Sequence, residues 1–200
     1  MWIRRARVVV VVLVVAAAAA GCSDSEEHGS SSTTVPAGYI SFQDAEDGVV
    51  LAVPRDWEIP RNAEALQQRA DVVRSQNPRL AEILLAAKTL VTQAKVFAVH
   101  PQGSSSMNLL VQAAGETRLD DIPGPAAAEF RRRGVTVQSQ ERTTLGGVEA
   151  VKLSMKLPLT DTATVDEVQY YAVTRGKVFI LTLTGSDPAL GVIAESVRLS

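Results

Sequence analysis

The chain has almost no cysteine, one thiol at Cys22 in 200 residues. No intramolecular disulfide can form, so the fold rests on its core and not on cross-links. Histidine is nearly as scarce, with His28 and His100 far apart in sequence, which excludes a zinc centre built on closely spaced histidines. No G-x-S-x-G nucleophile turn, Walker loop or dinucleotide fingerprint is present, so the common hydrolase, nucleotidase and dehydrogenase signatures are all missing. Aromatic residues make up 4% of the chain. Because recognition hot spots and sugar-stacking platforms favour Trp and Tyr, this leaves Tyr39, Trp57, Tyr170 and Tyr171 as the ones to follow. No apolar run reaches the roughly 20 residues that a spanning helix needs.

What the chain does have is a leader. Met1-Trp2-Ile3-Arg4-Arg5-Ala6-Arg7 is basic, Val8 to Ala20 is thirteen apolar residues, and Ala19-Ala20-Gly21 is a small-residue cleavage site. This matches a secretory signal. Ala-Ala-Gly-Cys at 19–22 resembles a bacterial lipobox, with Ala19 standing where leucine is commonest. The resemblance implies a diacylglyceryl thioether on Cys22, N-acylation after cleavage, and attachment to the outer face of the bacterial cytoplasmic membrane. Two or three acyl chains, at ~0.8 kcal/mol per buried methylene, give a stable hold. An ordinary secreted protein with a stray cysteine is the alternative.

The expected organisation is a lipoprotein signal over 1–21, a lipidated Cys22 with a flexible tether over 22–37, and a single domain over 38–200. The tether sequence SDSEEHGSSSTTVP (Ser23 to Pro36) is polar and has no apolar periodicity. His28 within it reads as a solvated linker residue, since metal binding needs partners that the segment lacks. Loss of Arg4, Arg5 and Arg7 with the leader takes 20 basic residues to 17 against 22 acidic ones, a net charge of −5. That argues against nucleic acid and against a polybasic hold on anionic lipid, and leaves the acyl chains as the anchor.

The domain reads as two strands, Gly38 to Gln43 and Val49 to Val53, around the acidic turn Asp44-Ala45-Glu46-Asp47-Gly48. Three carboxylates suggest calcium, but the spacing lacks the alternation of a calcium loop, which favours a solvated hairpin. Pro54 ends the ladder, and Trp57 reads as core before ligand. Asn62 caps a helix carrying Leu66, Ala70 and Val73, and Asn77-Pro78 starts another. Its stripe of Leu80, Ile83, Leu84, Ala87, Leu90 and Val91 either covers a sheet or faces a lipid. Ala94 to His100 and Met107 to Ala113 form two strands, and His100 at a strand end lacks the partner and nucleophile that a general base needs.

A third helix spans Ile122 to Arg133, with Asp120 and Asp121 at its start and Arg131, Arg132 and Arg133 at its end, as a helix dipole favours. The arginine triplet offers an acidic partner a contact, but consecutive residues fan out around a helix. Four strands follow, Val135 to Arg142, Val148 to Leu157, Val165 to Thr174 and Lys177 to Thr184, before a helix begun by Ser186-Asp187-Pro188. One of Tyr170 and Tyr171 is expected inside and the other outside.

Short turns between successive strands require antiparallel pairing, and the blocks of helix make the class α+β. VVLAVPRDWE (49–58), KVFAVHP (95–101), NLLVQ (108–112), TLGGVEAVKLSM (144–155), VQYYAV (168–173) and the closing strand plus helix resemble the PsbP-like fold. More closely they resemble actinobacterial lipoproteins of the LpqN/LpqT type. The resemblance implies an αβα sandwich around a mostly antiparallel central sheet over Gly38 to Ser200. It brings no catalytic residues, cofactor ligands or metal ligands, and its superfamily ranges from photosystem extrinsic subunits to a nuclear-import factor that binds the Ran GTPase, so fold does not settle function.

The expected function is therefore a non-catalytic binding or accessory module of the cell envelope, acting on an unidentified envelope protein or lipid. A lipid carrier with an internal apolar cavity is one alternative. The other is an envelope hydrolase or transferase in which separate carboxylates such as Asp56 and Glu58 converge. Replacing Cys22→Ser is expected to move the protein from the membrane fraction to the soluble fraction. An unchanged distribution on fractionation would contradict the lipid anchor.

Overall fold

A computed structural model describes residues 35–200 of the chain, apart from 77, 104 and 159–162. The leader, Cys22 and His28 lie outside the described residues, as do the side chains of Leu80 and Ile83. Among the described residues the order is β1 (Tyr39–Asp44), β2 (Val49–Pro54), α1 (Ala63–Val73), α2 (Pro78–Ala86), α3 (Lys88–Val91), β3 (Val96–Val99), β4 (Ser106–Ala113), α4 (Pro123–Arg132), β5 (Thr136–Leu145), β6 (Val148–Pro158), β7 (Thr164–Thr174), β8 (Lys177–Thr184), α5 (Ala189–Ser196) and β9 (Arg198–Leu199). A single 3₁₀ turn, Leu119–Asp121, precedes α4.

Local chemistry explains most of these boundaries. Asn62 Oδ1 accepts the Ala65 N–H at 2.8 Å and starts α1, and Pro123 sits at the first turn of α4, where it has no helical N–H to lose. Asp187 Oδ1 accepts the Ala189 N–H at 2.8 Å and starts α5. The long helix expected from Pro78 to Val91 is broken at Ala87 into α2 and α3, with Val91 N–H donating to Ala87 O at 2.9 Å. β9 was not foreseen. It is two residues long and pairs with Val49 and Val50 of β2, about 150 positions earlier in the chain.

A six-stranded antiparallel sheet in the order β3-β4-β8-β7-β6-β5 forms the centre. Strand alternation sorts its residues onto two faces, and both are covered. On one face Met107, Leu109, Phe179, Leu181 and Ala172 pack against Val49, Leu51, Val53 and Trp57, together with Leu190 and Ile193 of α5. The cover there is a second, three-stranded sheet, β1-β2-β9, working beside α5. On the other face α1, α2 and α3 close over Phe97, Val99 and Leu110, and α4 closes over Leu153, Met155 and Tyr171. The α+β class with antiparallel sheets holds, and the sandwich gains a small sheet in one outer layer.

The acidic turn between β1 and β2 is not a solvated hairpin. Asp47 is 5% exposed, with Lys177 Nζ at 2.6 Å from Oδ1 and Lys95 Nζ at 2.7 Å from Oδ2. Burial alone would raise its pKa, but the hydrogen bonds and charges of Lys177 and Lys95 outweigh burial and hold it below the usual carboxylate value. Arg175, at φ +50°, donates from Nη2 to Asp47 O at 3.0 Å. Next to it Gly48 takes φ +62°, and a Cβ there would collide with the Ser200 carbonyl oxygen. The turn thus fastens the small sheet to the end of the large one.

Asp47→Asn is expected to cost roughly 1–3 kcal/mol at neutral pH, as for removal of a buried charged hydrogen-bonding partner. Because the folded pKa of Asp47 is depressed, the wild type holds this advantage above the ordinary carboxylate range and loses it as pH falls through the folded value. Urea denaturation of both proteins should show the gap at neutral pH and its closure in acid.

Candidate functional site

Tight turns at 45–48, 146–147 and 175–176 lie at one end of the central sheet, beside the longer segment 114–122 that leaves β4 there, and the segments 55–62, 100–105 and 185–188 gather at the other, the long-loop end. Loops held on a rigid sheet are where recognition residues concentrate. The long-loop end brings Trp57 and His100 together.

Trp57 follows Pro54, to whose carbonyl it donates its N–H at 3.1 Å, and Glu58 and Val99 exchange two backbone hydrogen bonds of 2.9 Å. This bridge draws the segment after β2 onto the edge of β3. Trp57 is 5% exposed, so the core reading holds, and its ring meets His100 edge to face with centroids 6.0 Å apart. The His100 N–H donates to Ser105 O at 2.9 Å, and His100 Nδ1 accepts the Gln102 N–H at 3.1 Å. An acceptor at Nδ1 places the ring proton on Nε2, which lies 3.6 Å from Asp187 Oδ2.

Asp187, 87 residues away in sequence, is the partner that sequence reading did not give His100. Its N–H donates to Ser105 Oγ at 3.2 Å. Tyr39 lies within range of the same carboxylate, and its hydroxyl is raised above its ordinary pKa by burial and then by Asp187 and Asp56. A serine, a histidine and an aspartate are therefore neighbours, but not in the relay of a hydrolase. Nδ1 is already engaged by Gln102, Nε2 lies beyond hydrogen-bond distance of Asp187, and no hydrogen bond joins Ser105 Oγ to His100 among the described residues. The cluster fixes the shape of the loop end.

Other residues singled out in the sequence stay apart. Asp56 is exposed, while Glu58 takes Arg69 Nε at 2.7 and 2.9 Å, so the two carboxylates do not face each other. Arg132 and Arg133 both turn back to Glu129 on their own helix. The described part of the apolar stripe, Leu84, Ala87, Leu90 and Val91, is packed onto Phe97, Val99 and Leu110 as a cover for the sheet. Tyr171 is buried under α4, and Tyr170 is half-buried against the opposite core, so neither tyrosine is a free outward ring.

One group of residues was missed entirely. Asn108, Thr182, Gln169 and Glu167 are buried polar side chains on the helix-covered face of the sheet. Register places them side by side, with Asn108 opposite Thr182, Thr182 opposite Gln169, and Glu167 opposite Thr184. Gln169 Nε2 donates to Glu167 Oε1 at 2.9 Å and Thr184 Oγ1 donates to Glu167 Oε2 at 3.1 Å. The Tyr171 hydroxyl donates to Gln169 Oε1. Burial pushes Glu167 up to about 7 against the pull of Thr184 and Gln169, and burial with the nearby Glu167 raises Tyr171. In sequence, D-E-V-Q-Y alternates like a strand with one wet face, and nothing local says that helices will cover it.

No protein-family model matches the chain, and no curated protein matches it. Solved structures do. Cyanobacterial PsbP (CyanoP) from Synechocystis sp. PCC 6803 is 13% identical, with a TM-score of 0.57 over 86% of this chain and 98% of that one. LpqN, involved in cell envelope biogenesis of Mycobacterium tuberculosis, is 17% identical, covering 81% and 90% with a TM-score of 0.46. A protein of unknown function from Pseudomonas aeruginosa, PA94, is 16% identical, covering 76% and 85% with a TM-score of 0.37. The likeness to cyanobacterial PsbP shows a PsbP-like fold, in line with the resemblance read from the strand and turn motifs.

Glu167 gives a stability signature of its own. Its folded pKa is raised from 4.5 to about 7, so the folded state binds the proton more tightly and stability falls as pH rises through that window. The difference is on the order of 3 kcal/mol for a shift of this size. Glu167→Gln is expected to flatten this slope and to be the more stable protein above neutral pH. Equal slopes for both proteins in urea denaturation across the window would contradict the burial effect.

Proposed function

We propose that this chain is a cell-envelope lipoprotein, held by acyl chains on Cys22 at the outer face of the bacterial cytoplasmic membrane. In this reading its folded domain serves as a non-catalytic docking or accessory module for an envelope protein or apolar ligand. The observation that carries the reading is the locked state of the loop-end cluster. His100 accepts from Gln102 and meets Trp57 edge to face, with Asp187 3.6 Å from Nε2, which favours a surface of set shape over a turnover site.

The path of the chain supports the same reading. Tyr39 N–H donates to Pro36 O at 3.1 Å, so the segment leading from the tether arrives at the loop end. Val35 and Pro36 then line a shallow, largely apolar groove of about 170 Å³ with Ser41, Val50, Val192 and Ser196. No helix among the described residues is long and apolar enough to cross a membrane, in keeping with a lipid as the anchor.

Photo-cross-linking in intact cells tests the reading. A photoreactive side chain in place of exposed Asp56 should give a discrete adduct with an envelope component, and the same group in place of exposed Val72 on α1 should not. No adduct from either position, or the same adducts from both, would count against a docking surface at the loop end.

A further inference from the structure

The two ring nitrogens of His100 stand in opposite situations. Nδ1 accepts the Gln102 N–H at 3.1 Å, a bond that exists only while Nδ1 carries no proton. Nε2 stands 3.6 Å from Asp187 Oδ2, near enough for charge attraction and too far for a hydrogen bond. The neutral ring therefore holds the turn of its own loop and leaves the carboxylate beside it unused. A second proton on the ring reverses both. Nδ1–H then faces the Gln102 N–H, donor against donor, and that bond is lost. The new positive charge draws Asp187 Oδ2 toward Nε2, where a charge-assisted hydrogen bond can close. The His100 side chain is 21% exposed, so protons reach it from solvent.

Both partners are tied to more than the imidazole. Gln102 is followed by Gly103 at φ +70°, whose N–H donates to His100 O at 2.7 Å within the same turn. Asp187 Oδ1 accepts the Ala189 N–H at the start of α5, and the Asp187 N–H donates to Ser105 Oγ at 3.2 Å. A shift of its carboxylate is therefore felt at α5. The other titratable groups at this end are Tyr39 of β1, whose hydroxyl feels Asp187 and Asp56, Asp56 itself, which is exposed, and Glu58, which is taken by Arg69. Trp57 meets the imidazole with an uncharged ring.

We propose that His100 is a pH switch at the long-loop end. Its protonation exchanges the Gln102 contact for an Asp187 contact and resets the turn at 101–103 together with the start of α5. A regulatory role for the switch rests on the reading of this end as a docking surface, whereas the exchange itself does not.

The test is a series of nitrogen–proton correlation spectra of the full chain in non-ionic detergent, from about pH 8 to about pH 5, the range in which an imidazole changes charge. On acidification the Gln102 amide proton should move upfield, as for a lost hydrogen bond, and the Ala189 amide should move with it. In His100→Asn, whose side-chain oxygen takes the place of Nδ1 and does not titrate, both should stay where they are. A Gln102 amide that does not move in the wild type, or that moves equally in the variant, would overturn the switch. Cross-linking from position 56 at both ends of the range then tests its role. Adducts that change with pH in the wild type and not in His100→Asn support regulation, and adducts equal at both ends overturn it. If the amides move as expected and no adduct forms at either pH, the docking surface fails and the switch stands.

Discussion

A sheet of six antiparallel strands has to be kept from water on both faces, and everything else in this molecule answers to that requirement. The chain meets it with elements far apart in sequence. Its first two strands and its last helix and strand cover one face, and the four helices between them cover the other. The cover made of strands needs fastening, because two packed sheets lie about 10 Å apart and share no ladder. The Asp47 turn, held by Lys95 and Lys177, supplies the fastening at one end, and the Glu58 to Val99 bridge supplies it at the other.

Covering both faces also decides where polar groups become conspicuous. At the loop end, Trp57 and His100 are drawn in because the small sheet must turn back onto β3, and the imidazole then accepts from Gln102 beside Trp57 and Asp187. On the helical side the cover comes in two pieces, and the line where they meet carries Glu167, Gln169 and Asn108. Two different properties thus follow from one architectural demand. At one end the polar groups gather on loops, while the seam keeps an unmet acceptor at Asn108.

Legibility in the sequence follows the range of the interactions. Asn62 as a cap, the alternation of Val151, Leu153 and Met155 with Lys152, Ser154 and Lys156, and the turn at Arg175-Gly176 are decided by neighbours in the chain, and all can be read from it. Asp47 is a different matter. Its acidic neighbours suggest solvent or calcium, and only folding brings Lys95 and Lys177 to it from 48 and 130 positions away. The same holds for Asp187 beside His100, and for β9, whose two residues carry no periodicity. Glu167 and Gln169 read as a wet strand face because alternation reports that a strand has two faces, and not what will lie on either. The candidate site was half legible for this reason: Trp57 and His100 stand out by rarity, and their partners do not.

The pairing of β9 with β2 joins Arg198 and Leu199 to Val50 and Val49, and Ser196 Oγ accepts the Ala52 N–H at 2.8 Å to prolong that edge. Contacts of such sequence separation are entropically costly to close and make folding slow. The small sheet cannot be completed until nearly the whole domain is present. Val197 and Leu199 thus close, from the far end of the domain, the same core that Val49 and Leu51 begin, so an opening at either flank exposes both.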